Sequence, residues 1–161
     1  MKNAIISLTL LAAATSAVAG GLDPEIMAYA EKSVAADRAA NEDPNNVHGQ
    51  AFWNNLVKRC AVAVKKGHNA SFEILQASNI VMPPSVWSAQ DAVYIKACQG
   101  GFEAGQANNI EDFRQAYERF MVAKDQIKTK ADALKIANDI GVMTAYSEGF
   151  KVAAGTYPNV R

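Results

Sequence analysis

Helix start signals recur along this chain, whereas patterns typical of β-strands are nearly absent. Asp23 followed by Pro24 is an N-cap residue with proline at the first helical position. Further along, Thr129 and Asp132 have the spacing of a capping box. This punctuation predicts an all-α fold, a single-domain bundle of about five to six helices with one disulfide.

Six helical segments are predicted from these signals and from the spacing of apolar residues. Five of them cover residues 24–41, 50–66, 70–77, 109–127 and 129–154, and the fourth along the chain starts at Ser85 or Ser88. Gly67 is expected to end the second helix, because two lysines occupy the turn before it. Phe72 and Leu75 are expected to face inward from the third helix. Ser88 and Asp91 have capping-box spacing and are expected to start the fourth.

The fourth predicted helix is apolar or small around most of its circumference. Between residues 92 and 102 only Lys96 and Gln99 are strongly polar, which is typical of a central helix. We therefore expect this helix to be the spine of the bundle. The adjacent Gly100 and Gly101 indicate either a close approach of two helices or an early helix end.

Residues 1–19 have the pattern of a secretory signal peptide. A positive charge at Lys2 precedes an apolar run over residues 5–14, and small residues at 17–19 form a cleavage site. The run is too short to cross a bilayer core of about 30 Å as a permanent helix, although an uncleaved N-terminal anchor is the alternative. We therefore expect a helical domain over residues 20–161, located in the periplasm or secreted.

The chain has two cysteines, Cys60 and Cys98. In an exported protein such a pair is most simply interpreted as a disulfide, and two buried free thiols are the alternative. The bond would close a loop of about 39 residues and stabilise the fold by on the order of 4 kcal/mol.

Positive and negative side chains balance, with 16 Lys and Arg against 16 Asp and Glu. This balance argues against nucleic acid or anionic lipid as the main partner, because both favour a strong basic excess. After the leader no apolar run is long enough to span a membrane. The sequence therefore predicts no nucleic-acid partner and no stable membrane insertion.

No residue pattern in the chain points clearly to catalysis or to a metal. Cys60 and His68 are close in sequence, but a disulfide would leave no thiolate to act as a nucleophile. The adjacent carboxylates at 42–43 and 111–112 lie at helix ends, where capping and the helix dipole also favour them. The histidines are only His48 and His68, which is too few for a metal site. We expect no enzymatic activity, no metal and no cofactor.

The strongest candidate for a binding surface is an apolar loop with two prolines. The predicted partner-binding residues are Ile80, Val81, Met82, Pro83, Pro84 and Trp87. Surface loops that carry consecutive large apolar residues often insert into a partner. The alternative is that Ile80 and Met82 fold back as a lid over the end of the bundle. Trp53, Trp87 and Tyr94 are candidates for a neighbouring aromatic patch, although Trp53 and Trp87 could equally belong to the core.

A basic stripe on the second predicted helix is a weaker candidate. It contains Lys58, Arg59, Lys65 and Lys66. These residues could contact an acidic partner, but a solvated helix face is the simpler interpretation.

Two short motifs resemble those of a known family. One is Pro83-Pro84-Ser85-Val86 followed by Gln90, and the other runs from Cys98 through Gln-Gly-Gly-Phe-Glu-Ala to Gly105. Both resemble segments of the small, helical, disulfide-bearing periplasmic immunity proteins that neutralise type VI secretion amidase effectors. The resemblance implies a non-catalytic inhibitor that occludes the active site of a toxin.

We expect an exported, non-catalytic protein that binds another protein, with an inhibitor or immunity role as the favoured form. A structural or accessory component of an envelope, conjugation or secretion assembly is a second possibility. A small-ligand-binding or stress-protective periplasmic protein is a third.

Overall fold

The computed structural model describes residues 23–41 and 49–160. Five α-helices occupy most of these residues, and no strand occurs among them. The helices are α1 (Pro24–Asn41), α2 (Gln50–Ala77), α3 (Pro84–Gln106), α4 (Glu111–Lys124) and α5 (Lys130–Ala154). The predicted all-α bundle is therefore confirmed. The predicted leader over residues 1–19, together with His48 and the carboxylates at 42–43, lies outside the described residues.

Helix α2 is one continuous helix of 28 residues, so the predicted end at Gly67 is wrong. A Cβ atom at this position would lie 2.9 Å from Cδ2 of Tyr94 and 3.1 Å from the carbonyl oxygen of Gly141. Gly67 therefore allows α2 to approach α3 and α5 closely, and it does not terminate the helix.

Of the two predicted starts of this helix, Ser88 is wrong, and Ser85 lies one residue from the observed start of α3 at Pro84. Pro83 occupies the N-cap position in an extended conformation, and Pro84 takes the first helical position, where proline is tolerated. Asp91 consequently lies inside the helix, and its carboxylate pairs with His68 of α2. At the start of α5, by contrast, the Thr129–Asp132 capping box is present as predicted.

Helices α2, α3 and α5 form the centre of the bundle. Helices α3 and α5 touch backbone to backbone, since a Cβ at Gly101 would collide with the carbonyl of Tyr146 and one at Gly149 with the carbonyl of Cys98. Gly101 thus marks the close helix approach that was one of the two predicted alternatives. The central position belongs to α5 more than to α3, because α5 packs against α2, α3 and α4 together.

The predicted disulfide between Cys60 and Cys98 is present and joins α2 to α3, with a Cα–Cα distance of 5.5 Å. Both cysteines are fully buried within the larger of two apolar clusters, which α1 completes through Ala30 and Val34. The smaller cluster joins α4 to α5 and includes Phe120. Among the described residues no helix combines the length and apolar character needed to cross a bilayer.

Candidate functional site

The predicted loop forms one wall of a groove between α2 and α3. The groove has a volume of about 310 Å³ and is lined by Phe72, Gln76, Asn79, Ile80, Val81, Met82 and Trp87. Helix α2 contributes the first two residues, the connector contributes the next four, and the first turn of α3 contributes Trp87. Five of the seven lining side chains are apolar, so the groove is suited to apolar side chains of a ligand or partner.

Local backbone chemistry fixes the connector that forms this wall. Asn79 ends α2 in the left-handed conformation, with φ of 53°, which asparagine tolerates better than most residues. The Ile80 N–H then donates to the carbonyl of Leu75 (2.9 Å), so the chain reverses close to the helix end. Four residues later Pro84 begins α3. Hydrogen bonds and proline geometry at both ends therefore hold the connector in place.

The loop residues differ in their exposure. Val81 is 94% exposed, whereas Ile80, Met82 and Trp87 are partly buried. Phe72, which was predicted to face inward, is instead 53% exposed at the side of the groove. The loop therefore combines features of both predicted alternatives: Ile80 and Met82 turn partly towards the bundle, and Val81 projects into solvent.

Trp87 packs against His68, whose ring also contacts Tyr94. The ring of His68 lies edge-on to both aromatic rings, with centroid distances of 5.0 Å to each. Nε2 of His68 lies 2.5 Å from Oδ1 of Asp91, and Nδ1 is buried without a hydrogen-bond partner among the described residues. His68 therefore packs against the groove residue Trp87, and its Nδ1 is buried.

Tyr94 belongs to the core, so its predicted place in a surface aromatic patch is wrong. Its side chain is 1% exposed, and its hydroxyl lies 2.8 Å from Oγ of Ser71. Ser71 in turn donates to the carbonyl of Ala137 (2.6 Å), which links α3, α2 and α5. Burial raises the pKa of Tyr94, and the hydrogen bond with Ser71 partly offsets this rise.

Trp53 lies away from the groove, near the start of α2. Its ring packs against Phe52 and Phe102, and the guanidinium of Arg38 lies 5.2 Å from the ring centroid. Of the three predicted aromatic residues, only Trp87 therefore lines the groove.

The basic stripe of α2 is divided between two environments. Lys66 donates to the buried carboxylate of Glu148 at 2.6 Å, and Arg59 lies 3.5 Å from the other carboxylate oxygen. Tyr157 also donates to this carboxylate, at 2.9 Å. Glu148, whose side chain is only 4% exposed, is a central residue that sequence analysis missed. The remaining two residues of the stripe, Lys58 and Lys65, are exposed.

The carboxylate pair at 111–112 lies at the start of α4, where Glu111 is hydrogen-bonded to side chains of the same helix. Arg114 and Gln115 donate to Glu111, and these hydrogen bonds lower the pKa of its carboxyl group. Among the described residues no group of three or more His, Cys, Asp or Glu side chains is arranged to hold a metal ion.

No protein-family model, curated protein or solved structure matches this chain. The resemblance to the immunity proteins therefore stays a prediction, and the case for function depends on the geometry of the groove and of the loop beside it.

Proposed function

We propose that this chain is an exported, non-catalytic protein that binds another protein through the groove between α2 and α3 and inhibits it. The observation that carries the proposal is the exposure of Val81 on a loop whose two ends are fixed. A valine side chain gains about 1.5–3 kcal/mol when it moves from water into an apolar environment. A partner with a complementary pocket would provide that environment.

The rigidity of the loop supports an inhibitory role. Disulfide Cys60–Cys98 ties the two helices that carry the groove, and Trp87 is packed against His68. A binding loop that is already ordered loses less conformational entropy on association, so more of the contact energy appears as affinity. Protruding, preorganised apolar loops of this kind are suited to insertion into the cleft of a partner.

The polar side chains beside and behind the groove support a non-catalytic function. Asp91 and His68 form a pair with each other, and Lys66 and Arg59 neutralise Glu148. None of these residues lines the groove, and the polar side chains that do, Gln76 and Asn79, are amides that do not serve as general acids or bases.

The positions of the resemblance motifs are also compatible with an immunity-type inhibitor. The motif that begins at Pro83 covers the start of α3 and reaches Val86 beside the groove, and the motif that begins at Cys98 contains the disulfide in the same helix. By analogy with the immunity proteins, the partner would be a toxin whose active site the loop occludes.

The proposal can be tested by affinity purification from the native periplasm with matched variants. Val81→Asp changes the exposed tip of the loop, and Val93→Asp changes a valine of α3 that is 43% exposed and does not line the groove. We expect the wild type and Val93→Asp to retain one stoichiometric partner, and Val81→Asp to lose it. Because Val81 is almost fully exposed, its substitution should leave the melting temperature unchanged.

The purified partner then provides the functional readout. Wild-type protein should inhibit its activity at a molar ratio near one, and Val81→Asp should raise the dissociation constant by roughly tenfold or more. Equal retention and equal inhibition by Val81→Asp and the wild type would exclude the loop as the binding surface.

A further inference from the structure

Two connectors lie at the same end of the bundle, although they are distant in sequence. Gly67 lies against Gly141, and Ser71 donates to Ala137, so α2 and α5 run in opposite directions. Continuing this register by two turns brings the end of α2 to the level of Lys130, the first residue of α5. The connector after α2 (78–83) and the connector before α5 (125–129) therefore lie at the same level along the bundle axis.

Exposed apolar side chains are concentrated at this end. Seven large hydrophobic side chains are exposed among the described residues. Five of them lie in the two connectors or within about two helical turns of them, namely Phe72, Val81, Val122, Ile127 and Leu134. These five side chains are spread over α2, α4, α5 and the two connectors, and Val81 and Ile127 lie in the connectors themselves.

Lysines accompany these apolar residues. Lys128, Lys130 and Lys135 are exposed, and none of them forms an ion pair within the described part of the chain. Of the acidic residues nearby, Asp125 lies 3.5 Å from Lys124, and Asp132 accepts the backbone N–H groups of residues 128 and 129. Glu118 pairs with Arg114, and Glu73 is exposed beside Phe72 on α2. The segment from 124 to 135 thus carries four lysines and two aspartates.

Acidic residues lie at the opposite end of the bundle, where Arg114 pairs with Glu111. Glu103, Glu111 and Asp112 flank the connector between α3 and α4, and all three are exposed. The formal net charge of zero includes a local excess of two positive charges in the segment from 124 to 135. At physiological salt the Debye length is about 8 Å, so a charged surface responds to the nearest end of the protein and not to its net charge.

We propose that the end of the bundle that carries the lysine-rich segment from 124 to 135 docks on an anionic membrane surface. The docking surface, here called the tip surface, consists of Val81, Ile127, Leu134, Lys128, Lys130 and Lys135. Its lysines would contact lipid phosphates, and Val81 and Ile127 would enter the interface between headgroups and acyl chains. Exposed apolar side chains beside lysines favour a lipid surface over nucleic acid, which has no comparable apolar layer.

This inference goes beyond the proposed protein partner and does not depend on it. The groove lies between α2 and α3, whereas most of the tip surface lies in the turn between α4 and α5. Only Val81 belongs to both the groove and the tip surface, so the variants that distinguish the two proposals leave Val81 unchanged.

Co-sedimentation of the protein without its predicted leader (residues 20–161) with lipid vesicles tests the proposal. We expect binding to equimolar phosphatidylglycerol and phosphatidylcholine vesicles to be at least tenfold stronger than binding to pure phosphatidylcholine. Raising the salt concentration from about 0.1 M to about 1 M shortens the Debye length from about 10 Å to about 3 Å and should abolish most of this binding.

Two double charge reversals provide the matched comparison. Lys128→Glu with Lys130→Glu should weaken binding to anionic vesicles by roughly tenfold or more, since each lysine near an anionic surface contributes about a fivefold factor. Lys58→Glu with Lys65→Glu makes the same change in net charge on the outside of α2 and should leave vesicle binding within about twofold of the wild type. Circular dichroism checks that both variants remain folded.

Three results would overturn the proposal: equal binding to anionic and neutral vesicles, equal losses in the two double variants, or no vesicle binding by the wild type. Binding of duplex DNA with the same affinity and the same loss in the tip variant would indicate a general anion-binding surface instead. Partner capture by Lys128→Glu with Lys130→Glu should be normal, which separates failure of this proposal from failure of the proposed function.

Discussion

Alanine should have opposite effects on stability at two adjacent glycines of α3. A Cβ at Gly100 would meet no atom within 4 Å. At Gly101 it would lie 2.7 Å from the carbonyl carbon and 3.0 Å from the Cα of Tyr146, and closer still to the carbonyl oxygen. The helix-propensity gain of about 1 kcal/mol is the same at both positions, so the difference between the two variants reports the packing of α3 on α5.

The magnitude at Gly101 follows from the size of the overlap. An ordinary van der Waals contact requires about 3.4–4 Å, so α3 and α5 would have to separate by about 1 Å or more. A gap of that size forfeits a quarter to a half of the dispersion energy of the atoms along the interface. We expect Gly101→Ala to lower the free energy of unfolding by about 2–3 kcal/mol, and Gly100→Ala to raise it by up to about 1 kcal/mol.

Urea unfolding of the oxidised protein, followed by far-ultraviolet circular dichroism, measures both changes. For a domain of this size the loss at Gly101 should lower the melting temperature by roughly 10 °C. A Gly101→Ala variant as stable as the wild type would refute the backbone contact between α3 and α5. A loss of stability in both variants would show that the effect does not depend on that contact.

Two further predictions concern ionised side chains. Glu148→Gln should lower the free energy of unfolding by about 2–3 kcal/mol in the same assay, because Lys66 and Arg59 lose their charged partner in a largely buried site. The control is Glu118→Gln, which removes the charge from an exposed pair with Arg114 and should have no measurable effect. Backbone hydrogen bonds from Lys128 and Thr129 lower the pKa of Asp132, so its contribution to stability is complete above the ordinary aspartate pKa and is lost as the pH falls through the lowered value. Asp132→Asn should accordingly destabilise the protein at neutral pH and match the wild type in strong acid, and an equal deficit at both pH values would contradict this account of the capping box.

Local signals were sufficient to predict the helices that begin with a cap. The capping box of α5 and the all-α class both follow from residues within a few positions of one another. The disulfide was predictable because only two cysteines exist to form it. These features depend little on how the helices pack.

Features that depend on tertiary contacts were not predictable. Gly67 has the appearance of a helix end, and only the proximity of Tyr94 and Gly141 explains why the helix continues. Continuity of α2 then fixes the direction of Phe72, which lies seven residues after the exposed Lys65 and so shares its outer face.

The ion pair of Glu148 could not be predicted because it also depends on tertiary contacts: its partner Lys66 is 82 positions away in the sequence. The groove was predicted only in part, because its loop is local in sequence but its opposite wall comes from α2.

The position of the disulfide determines what a proteolytic cut in the loop would do to the protein. Every residue that lines the groove lies between Cys60 and Cys98, inside the covalently closed ring. A protease that cuts the exposed backbone beside Val81 would therefore yield two pieces that remain one molecule until a reductant separates them. Under oxidising conditions, the two sides of the groove would survive such a cut as a tethered pair.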